Sequence, residues 1–304
     1  MNERYCPLCG ENHCEIKTNI QKKDLVFLYE NAFGVNVDRL IDSDVDYMHC
    51  TSCDLRFFLN KKGQMPTGDN DFYNSLNQLP WYYMEEKNEY QYAKNFIKDS
   101  DKVLEVGCGK AAFAKFLCTK DYTGLEFSTQ AKKLALQNGV NIENISIQEY
   151  SSKYPESFDV VCSFQVLEHV SNPREFIKSK LKILRGGGAM IIAVPSEESF
   201  LKDCVNGILN MPPHHTSRFS DKSLENIAKI FDLKLRDIYH ENIQPEHIDM
   251  YKSIQWAKKF LPTPMIDKGV MRKFINKFGL FGKRFIQIPP NAYGHSVVAV
   301  YEKP

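Results

Sequence analysis

A glycine turn between a buried strand and a helix constrains the fold of this chain more than any other segment. Within the stretch Lys102–Phe113, a mostly apolar run, Lys102–Val106, leads directly into Gly107 and Gly109. Glycine lacks a Cβ, so such a turn lets the backbone come close to a ligand. The N–H groups at the start of the following helix then lie beside that ligand. The sequence therefore predicts a strand, a ligand-binding turn and a helix here.

An acidic residue follows at the place where such folds hold a ribose. Glu126 ends the next strand-like run, Tyr122–Glu126, about 20 residues further on. From Asp99 onward, short apolar runs alternate with helical stretches. This alternation is typical of a doubly wound parallel sheet with helices on both faces.

The predicted elements describe an α/β, Rossmann-like fold with a seven-stranded doubly wound sheet. The strands are Lys102–Val106, Tyr122–Glu126, Asn144–Ile147, Phe158–Phe164, Met190–Val194, Leu233–His240 and His295–Tyr301, and the helices include Ala111–Cys118, Thr129–Asn138 and Pro173–Leu184. We expect the main domain over residues 99–249, a helical cap insertion over 250–290 and the final strand within 291–304.

Composition excludes several classes of protein. The chain has 304 residues, with 39 lysines and arginines against 38 aspartates and glutamates, so its net charge does not attract nucleic acid. No apolar run approaches the ~20 residues of a membrane span, and the N-terminus has no apolar signal region. Nine cysteines are an odd number, and Cys108 and Cys162 fall in apparent core strands. We therefore expect a reducing, cytoplasmic location.

Two cysteine pairs predict a metal site in a small N-terminal module, residues 1–60. Cys6 and Cys9 form one Cys-x-x-Cys motif, and Cys50 and Cys53 form another. Four thiolates at this spacing are typical of a closed structural zinc site, as in a zinc ribbon. A redox pair or unrelated cysteines are the alternatives. The nearby His13, Cys14 and His49 are interpreted as bystanders.

Residues 61–98 are a linker followed by a tyrosine-rich lead-in to the main domain. Tyr90, Ala93 and Ile97 recur at helical spacing, which predicts a helix packed on the domain edge. The simplest interpretation of the tyrosines is that they fill a groove. The alternative is that Tyr73, Tyr82 and Tyr83 form a wall of the ligand site and bind substrate.

At these motifs the chain resembles the class I S-adenosylmethionine-dependent methyltransferases of types 11, 12 and 23. The resemblance covers Asp99 to Pro195 and a returning strand pair near the C-terminus, and it implies seven strands with the last antiparallel. It assigns Glu105, Gly107 and Gly109 to the turn around the amino-acid end of S-adenosylmethionine. Ala111 replaces the third glycine of the usual pattern.

The resemblance also assigns the remaining cofactor contacts. Glu126 binds the ribose hydroxyls and Phe127 lies against the adenine. Gln148 borders the adenine amine, with Glu149 as the alternative. Ser163, Phe164 and Gln165 end the fourth predicted strand, where ligands bind in open α/β sheets. The following Glu168-His169 pair is common in the family, and we interpret its histidine as structural.

The segment Pro212–Ser220 contains the predicted catalytic residues. Sugar- and metabolite-modifying relatives keep a histidine at this place, so His215 is the predicted general base and His214 its neighbour or a substrate contact. A histidine with an ordinary pKa of about 6.5 suits removal of a hydroxyl proton. The alternative is that the pair only braces its loop.

The cap over 250–290 is basic, with nine lysines and arginines against Asp267 alone from Tyr251 onward. It is interpreted as a solvated amphipathic cap, and the alternative is a surface for an anionic substrate or a membrane leaflet.

The predicted function is methyl transfer to an oxygen of a sugar or other polar small molecule, because an N-terminal four-cysteine module before this domain resembles methyltransferases of surface-glycan or deoxysugar biosynthesis. The alternatives are an RNA methyltransferase, which the neutral charge disfavours, and a non-catalytic zinc-stabilised binding protein with a degenerate fold.

Overall fold

The computed structural model describes residues 4–76, 79, 86–137, 139–140 and 142–304. The strands are β1 Cys14–Ile20, β2 Val45–Cys50, β3 Arg56–Asn60, β4 Val103–Val106, β5 Tyr122–Leu125, β6 Ile142–Glu143, β7 Phe158–Phe164, β8 Leu184–Pro195, β9 Ser217–Arg218, β10 Lys234–Asn242 and β11 Tyr293–Glu302. The α-helices are α1 Lys22–Phe33, α2 Asn70–Leu76, α3 Asn88–Ala93, α4 Thr129–Gln137, α5 Ile147–Lys153, α6 Pro173–Ile183, α7 Asp221–Ile230, α8 Ile248–Lys258 and α9 Val270–Gly282. Single 3-10 turns include Ala112–Phe116, Leu167–His169 and Ile208–Asn210.

Within the described residues, seven strands form one sheet in the order β10-β11-β8-β7-β4-β5-β6. β4 pairs in parallel with β5 and with β7, whereas β11 is antiparallel to both β8 and β10. The predicted seven-stranded Rossmann-like sheet, with its last strand antiparallel, is therefore confirmed.

Alternate residues of the sheet face two separate cores, as the period of a strand requires. Leu104 and Val161 pack on one face with Ile177 of α6. On the opposite face, Val103 packs with Tyr90 of the lead-in helix α3. The helix therefore packs on the domain as predicted, but on the face of its central strands rather than at its edge.

The third strand was predicted wrongly. β6 covers only Ile142 and Glu143, and the predicted strand Asn144–Ile147 runs instead into α5. The Ser146 side chain accepts the Glu149 N–H and caps that helix. This serine, followed three residues later by a glutamate, is a helix-start signal that outweighs the apolar run.

The helix predicted at Ala111–Cys118 is also wrong in type. The chain forms a 3-10 turn at Ala112–Phe116, after which Leu117 is extended. Ala111 has φ +57°, in the left-handed region, so a regular helix does not start from the turn. Such a conformation costs a residue with a Cβ about 1–2 kcal/mol.

The N-terminal residues form a second sheet that is built into the main domain. Its order is β1-β2-β3-β9, and β9 comes from far along the chain: Phe57 pairs with Ser217. The sequence did not predict β9. The Arg174 side chain of α6 donates to the carbonyl oxygens of Leu8 and Cys9, each at 2.9 Å. The two regions thus share strands, hydrogen bonds and one apolar core.

The insertion between β10 and β11 contains α8 and α9. Its basic side chains are partly neutralised by acidic neighbours. Lys258 pairs with Asp203, and Lys283 pairs with Asp249. Among the described residues, no helix is long and apolar enough to cross a bilayer.

Candidate active site

The glycine turn lies at the carboxyl end of β4 and is held against its neighbours. Gly107 has φ +72°, and a Cβ on it would lie 2.6 Å from Cγ2 of Val166, which follows β7. Its N–H donates to the carbonyl of Leu125 at 2.8 Å. Because β4, β5 and β7 are parallel neighbours, the turn shares one edge of the sheet with the residues after β5 and β7.

Glu126 is fixed directly beside this turn. Its Oε2 accepts the Gly109 N–H at 2.9 Å, and its Oε1 accepts the Ser128 N–H at 2.8 Å. A carboxylate has about four lone-pair sites, and these two hydrogen bonds use two of them. The carboxylate of Glu126 can therefore accept two further hydrogen bonds from hydroxyl donors. The neighbouring Phe127 is 60% exposed and presents an apolar ring to the same edge.

Asn144 belongs to this site, although the sequence analysis did not identify it. It follows β6, and its amide donates to the carbonyl oxygens of Glu126 and Phe127 at 3.1 and 2.8 Å. A polar residue directly after the third strand was the available signal, but the misplaced strand obscured it. Gln148, the predicted adenine contact, is exposed in the first turn of α5.

Glu105 is fully buried on β4 and accepts a hydrogen bond from the Tyr122 hydroxyl. Burial raises the pKa of Glu105 to about 8, from an ordinary value of 4.5. Its carboxyl group therefore holds a proton at neutral pH unless a cation binds nearby.

The three residues that end β7 have different environments. Ser163 is fully buried and accepts a hydrogen bond from the Lys180 ammonium at 2.9 Å. Phe164 packs in the core, 4.6 Å from the Phe113 ring centroid. Only Gln165 extends into the polar edge, where its amide donates to the Ser296 hydroxyl at 3.1 Å. Ser163 and Phe164 could contact a cofactor through their backbones alone.

Buried carboxyl groups also line this edge, and the sequence analysis missed them. Glu89 of α3 is 3% exposed, and its Oε2 lies 3.4 Å from the Gln165 amide nitrogen. Glu241 of β10 accepts the Ser296 N–H at 2.8 Å. Burial raises the pKa of Glu241 to about 7. The edge is therefore polar, with two carboxyl groups withdrawn from solvent.

Three histidines and a glutamate form a cluster after β7, which we call the histidine cluster: Glu168, His169, His214 and His215. The ring centroids of the three histidines lie 4.5–4.8 Å apart. The loop that carries the histidine pair is tied to the β7 side by the Thr216 N–H, which donates to the Glu168 carbonyl at 2.8 Å. The structure thus brings His169 together with the predicted pair His214 and His215.

Burial changes the acid–base properties of these rings. Desolvation lowers the pKa of His169 to about 4 and the pKa values of His214 and His215 well below their ordinary value. The expectation of an ordinary pKa for His215 is therefore wrong. All three rings are neutral at neutral pH.

Of the three predicted substrate-binding tyrosines, the structure describes one. The Tyr73 hydroxyl lies 3.4 Å from His169 Nδ1, and its ring is 6.2 Å from that of His214. Tyr73 therefore borders the histidine cluster. Tyr82 and Tyr83 lie outside the described residues.

The four predicted zinc ligands converge on one point. The sulfurs of Cys6 and Cys53 are 3.5 Å apart, those of Cys9 and Cys50 are 3.6 Å apart, and all four lie within 4.8 Å of one another. A zinc ion with four bonds of about 2.3 Å would set its sulfurs ~3.8 Å apart. The donor set and spacing therefore fit a tetrahedral metal.

Comparisons with known proteins agree with this geometry. Residues 81–253, more than half of the chain, match a family model described as a methyltransferase domain. The ubiquinone biosynthesis O-methyltransferase of Erwinia tasmaniensis is 30% identical over 127 residues, which are 38% of this chain and 52% of that protein. That of Proteus mirabilis is 26% identical over 153 residues, 46% of this chain and 60% of the relative. The matched region thus spans about half of these relatives.

A solved structure shows the same fold. A SAM-dependent methyltransferase from Archaeoglobus fulgidus aligns with a TM-score of 0.50 at 16% identity, over 76% of this chain and 100% of that chain.

Proposed function

The chain belongs to the class I S-adenosylmethionine-dependent methyltransferases, and from this premise we propose that it methylates an oxygen of a sugar or another polar small molecule. The observation that carries the proposal is the common edge of the sheet. There the carboxylate of Glu126 is fixed beside the glycine turn, and the histidine cluster follows the neighbouring strand.

We propose that S-adenosylmethionine lies across the ends of β4, β5 and β7. Glu126 would accept hydrogen bonds from both ribose hydroxyls, and Phe127 would cover the adenine. Asn144 would support both residues by holding their backbone. The amino-acid end would then reach the turn at Gly107, where the buried Glu105 would favour a cationic group.

Methyl transfer to a hydroxyl needs a donor, an acceptor and a base. The bond between sulfur and the methyl carbon breaks with its electron pair left on sulfur, and the acceptor oxygen forms the new bond to carbon. We propose that His215 receives the hydroxyl proton, because its ring is neutral and lies at the edge of the sheet where the methyl group would be presented. His214 and Tyr73 would orient the acceptor beside it.

The polar side chains that line the edge support a polar acceptor. The edge is lined by the carboxyl groups of Glu89 and Glu241 and by the amide of Gln165. Such groups favour an acceptor with several hydroxyl or amine donors. A phenolic acceptor of quinone biosynthesis is the second candidate, because the curated relatives named above are ubiquinone biosynthesis O-methyltransferases.

We also propose that Cys6, Cys9, Cys50 and Cys53 hold a structural zinc ion. All four tetrahedral positions would be filled by protein, which leaves none for a substrate. The ion would stabilise the four-stranded sheet and its junction with α6.

The test is a methylation assay with purified protein and S-adenosylmethionine. Sugar nucleotides and catechols are offered as two panels of acceptors, and formation of S-adenosylhomocysteine is measured. Turnover with a sugar panel member supports the first candidate, and turnover with catechols alone supports the second. Calorimetry without detectable binding of S-adenosylmethionine would favour a degenerate, non-catalytic fold.

A further inference from the structure

The histidine cluster has the arrangement of a metal site as well as that of a proton acceptor. One ring nitrogen, Nδ1 or Nε2, from each of His169, His214 and His215 lies within 4.8 Å of those of the other two. An ion with nitrogen bonds of about 2.0–2.1 Å would set its ligands ~3.4 Å apart. Small rotations of the side chains therefore suffice to bring three imidazoles onto one ion.

The tautomers of the three rings suit this role. His169 Nδ1 lies 2.6 Å from the His214 carbonyl oxygen, and His214 Nδ1 lies 2.8 Å from the Leu209 carbonyl oxygen. A carbonyl only accepts, so each Nδ1 carries the proton and donates it. His215 Nδ1 is 3.1 Å from the Asn210 amide oxygen, which orients the third ring in the same way.

This pattern places the lone pair of each ring on Nε2. Histidines that bind metals almost always donate their other ring N–H to a carbonyl or carboxylate, which fixes the ring orientation and makes the ligand more basic. The backbone and side-chain acceptors around the cluster thus form the outer shell that a metal site needs.

Glu168 gives an independent observation. The residue is 1% exposed, and neither carboxylate oxygen receives a hydrogen bond from another residue that the structure describes. One of these oxygens, Oε1, lies 3.8 Å from His169 Nε2 and 3.9 Å from His215 Nε2. The carboxyl group of Glu168 and two imidazole nitrogens thus face one another in a buried place, an arrangement that a cation between them would stabilise.

We propose that His169, His214 and His215, with Glu168 as a fourth donor, bind one divalent transition-metal cation. Three imidazoles favour a first-row transition metal over Mg²⁺ or Ca²⁺, which prefer oxygen donors. The His169 side chain is 18% exposed, so the site is reachable from solvent. This cation is separate from the zinc ion proposed at Cys6, Cys9, Cys50 and Cys53, which we call the cysteine cluster.

The inference goes beyond the proposed function and does not depend on the acceptor class. It does change the role of His215 when the cation is bound. The lone pair that would accept the hydroxyl proton would then bind the cation. The cation would instead bind the acceptor oxygen and lower the pKa of its hydroxyl, so that the proton would leave to solvent water.

The test uses Co²⁺ as the probe on the full chain with one equivalent of zinc, which fills the cysteine cluster and leaves the histidine cluster without zinc. Visible absorption of bound Co²⁺ should rise and saturate at about one equivalent per chain, because the donor atoms form one site. The near-ultraviolet band of thiolate-to-cobalt charge transfer should be absent, because the ligands are nitrogen and oxygen. A thiolate band would show instead that Co²⁺ had displaced zinc and would count against the inference.

Variants then locate the site. His169→Ala and His215→Ala should each weaken Co²⁺ binding by roughly tenfold or more, since even second-shell losses cost that much. His247→Ala, a half-buried histidine outside the cluster, should bind Co²⁺ as the wild type does. Calorimetric binding of S-adenosylmethionine reports whether each variant is folded.

The Co²⁺ titration of the wild type tests the proposed cation site even if a variant fails to fold. Absence of saturable Co²⁺ absorption in the zinc-loaded wild type overturns the inference. An unchanged titration in the folded His169→Ala, His215→Ala double variant does so too. A chain that binds Co²⁺ at this site but methylates no sugar retains the inference and refutes only the proposed acceptor.

Discussion

The cysteine cluster and the histidine cluster are both proposed metal sites, but they differ in position and in donor type. The four cysteines lie at one end of the small sheet, Cys50 at the end of β2 and the others outside the strands, and they pack in a core shared with α6. His169 follows β7, and its N–H donates to the carbonyl of Val166, which borders the glycine turn; His214 and His215 pack against His169. Four thiolates would close the tetrahedral coordination of a zinc ion, whereas three imidazoles and Glu168 would hold a five- or six-coordinate ion with a position open to a substrate.

We therefore expect the cysteine cluster to contribute to the stability of the fold and the histidine cluster to contribute to the reaction. A closed site among apolar residues contributes to folding, because the unfolded chain cannot hold its ion in the same way. A site at the edge of a parallel sheet lies where ligands bind. Changes to the cysteine cluster should therefore reduce stability and leave the chemistry largely intact, and changes to the edge site should have the reverse effect.

The largest expected effect is on stability. Cys53→Ser removes one of four proposed zinc ligands and should abolish stoichiometric zinc in elemental analysis, which should find about one ion per cysteine cluster in the wild type. The melting temperature should fall strongly, because zinc in a structural site of this kind contributes ~10 kcal/mol or more to the free energy of folding.

Cys118→Ser is the matched control, because this thiol is exposed and far from the cluster along the chain. It should keep both the zinc and the melting temperature. An unchanged melting temperature in Cys53→Ser would show that the four cysteines do not hold the small sheet, and the contrast between the clusters would fail.

The next effect is on turnover. His215→Ala should reduce turnover by ~10²–10⁴ while affinity for S-adenosylmethionine stays close to that of the wild type, since only the proton acceptor is lost. His214→Ala should have the smaller effect. Because burial lowers the pKa of His215 well below its ordinary value, the acid limb of the wild-type pH profile should lie below pH 6.5.

His247→Ala serves as the control for a lost imidazole elsewhere and should retain turnover. Full turnover of His215→Ala at every pH would remove the catalytic role and leave the ring as a support of its loop. A melting temperature that falls in His215→Ala as far as in Cys53→Ser would also erase the distinction between the two regions.

The two clusters also differ in how far the sequence predicts them. Each cysteine pair is local, with two residues between its cysteines, so the proposed metal site is visible in the sequence. The glycine turn and Glu126 are equally local to their strand ends. Their arrangement in the structure agrees with the order of motifs along the chain.

The histidine cluster depends on long-range packing. His169 and His214 are 45 positions apart, and their meeting follows from the hydrogen bond of Thr216 to Glu168 and from the pairing of β9 with β3. β9 has two residues, too few to show a periodic pattern. The lowered pKa of His215 likewise comes from burial among the other histidines, which no local motif encodes.

A smaller effect should follow from Glu126→Ala. The change removes the proposed acceptor of two ribose hydrogen bonds, so affinity for S-adenosylmethionine should fall at least tenfold, or about 1.4 kcal/mol or more. Calorimetry measures this directly. Glu175→Ala removes an exposed carboxylate of α6 and should not change affinity. Equal affinities in the two variants would contradict the cofactor assignment.

The smallest effect concerns the buried carboxyl group of Glu105. The folded chain keeps its proton up to a pKa of about 8, whereas an unfolded glutamate releases it near its ordinary value of 4.5. The stability that this proton contributes is complete below pH 4.5 and is lost as pH rises through about 8. The slope is at most about 1.4 kcal/mol per pH unit.

Glu105→Gln mimics the protonated group and can still accept the Tyr122 hydroxyl, so it should remove this slope. Chemical unfolding of both proteins between pH 6 and 8 measures the difference. Saturating S-adenosylmethionine should flatten the wild-type slope, because its cationic groups favour the carboxylate form. The Cys53→Ser background should retain the slope, since the cysteine cluster does not contact Glu105. Parallel pH curves for wild type and Glu105→Gln would show that Glu105 does not release a proton on unfolding in this pH range. The edge site would then differ from the cysteine cluster only in its histidines.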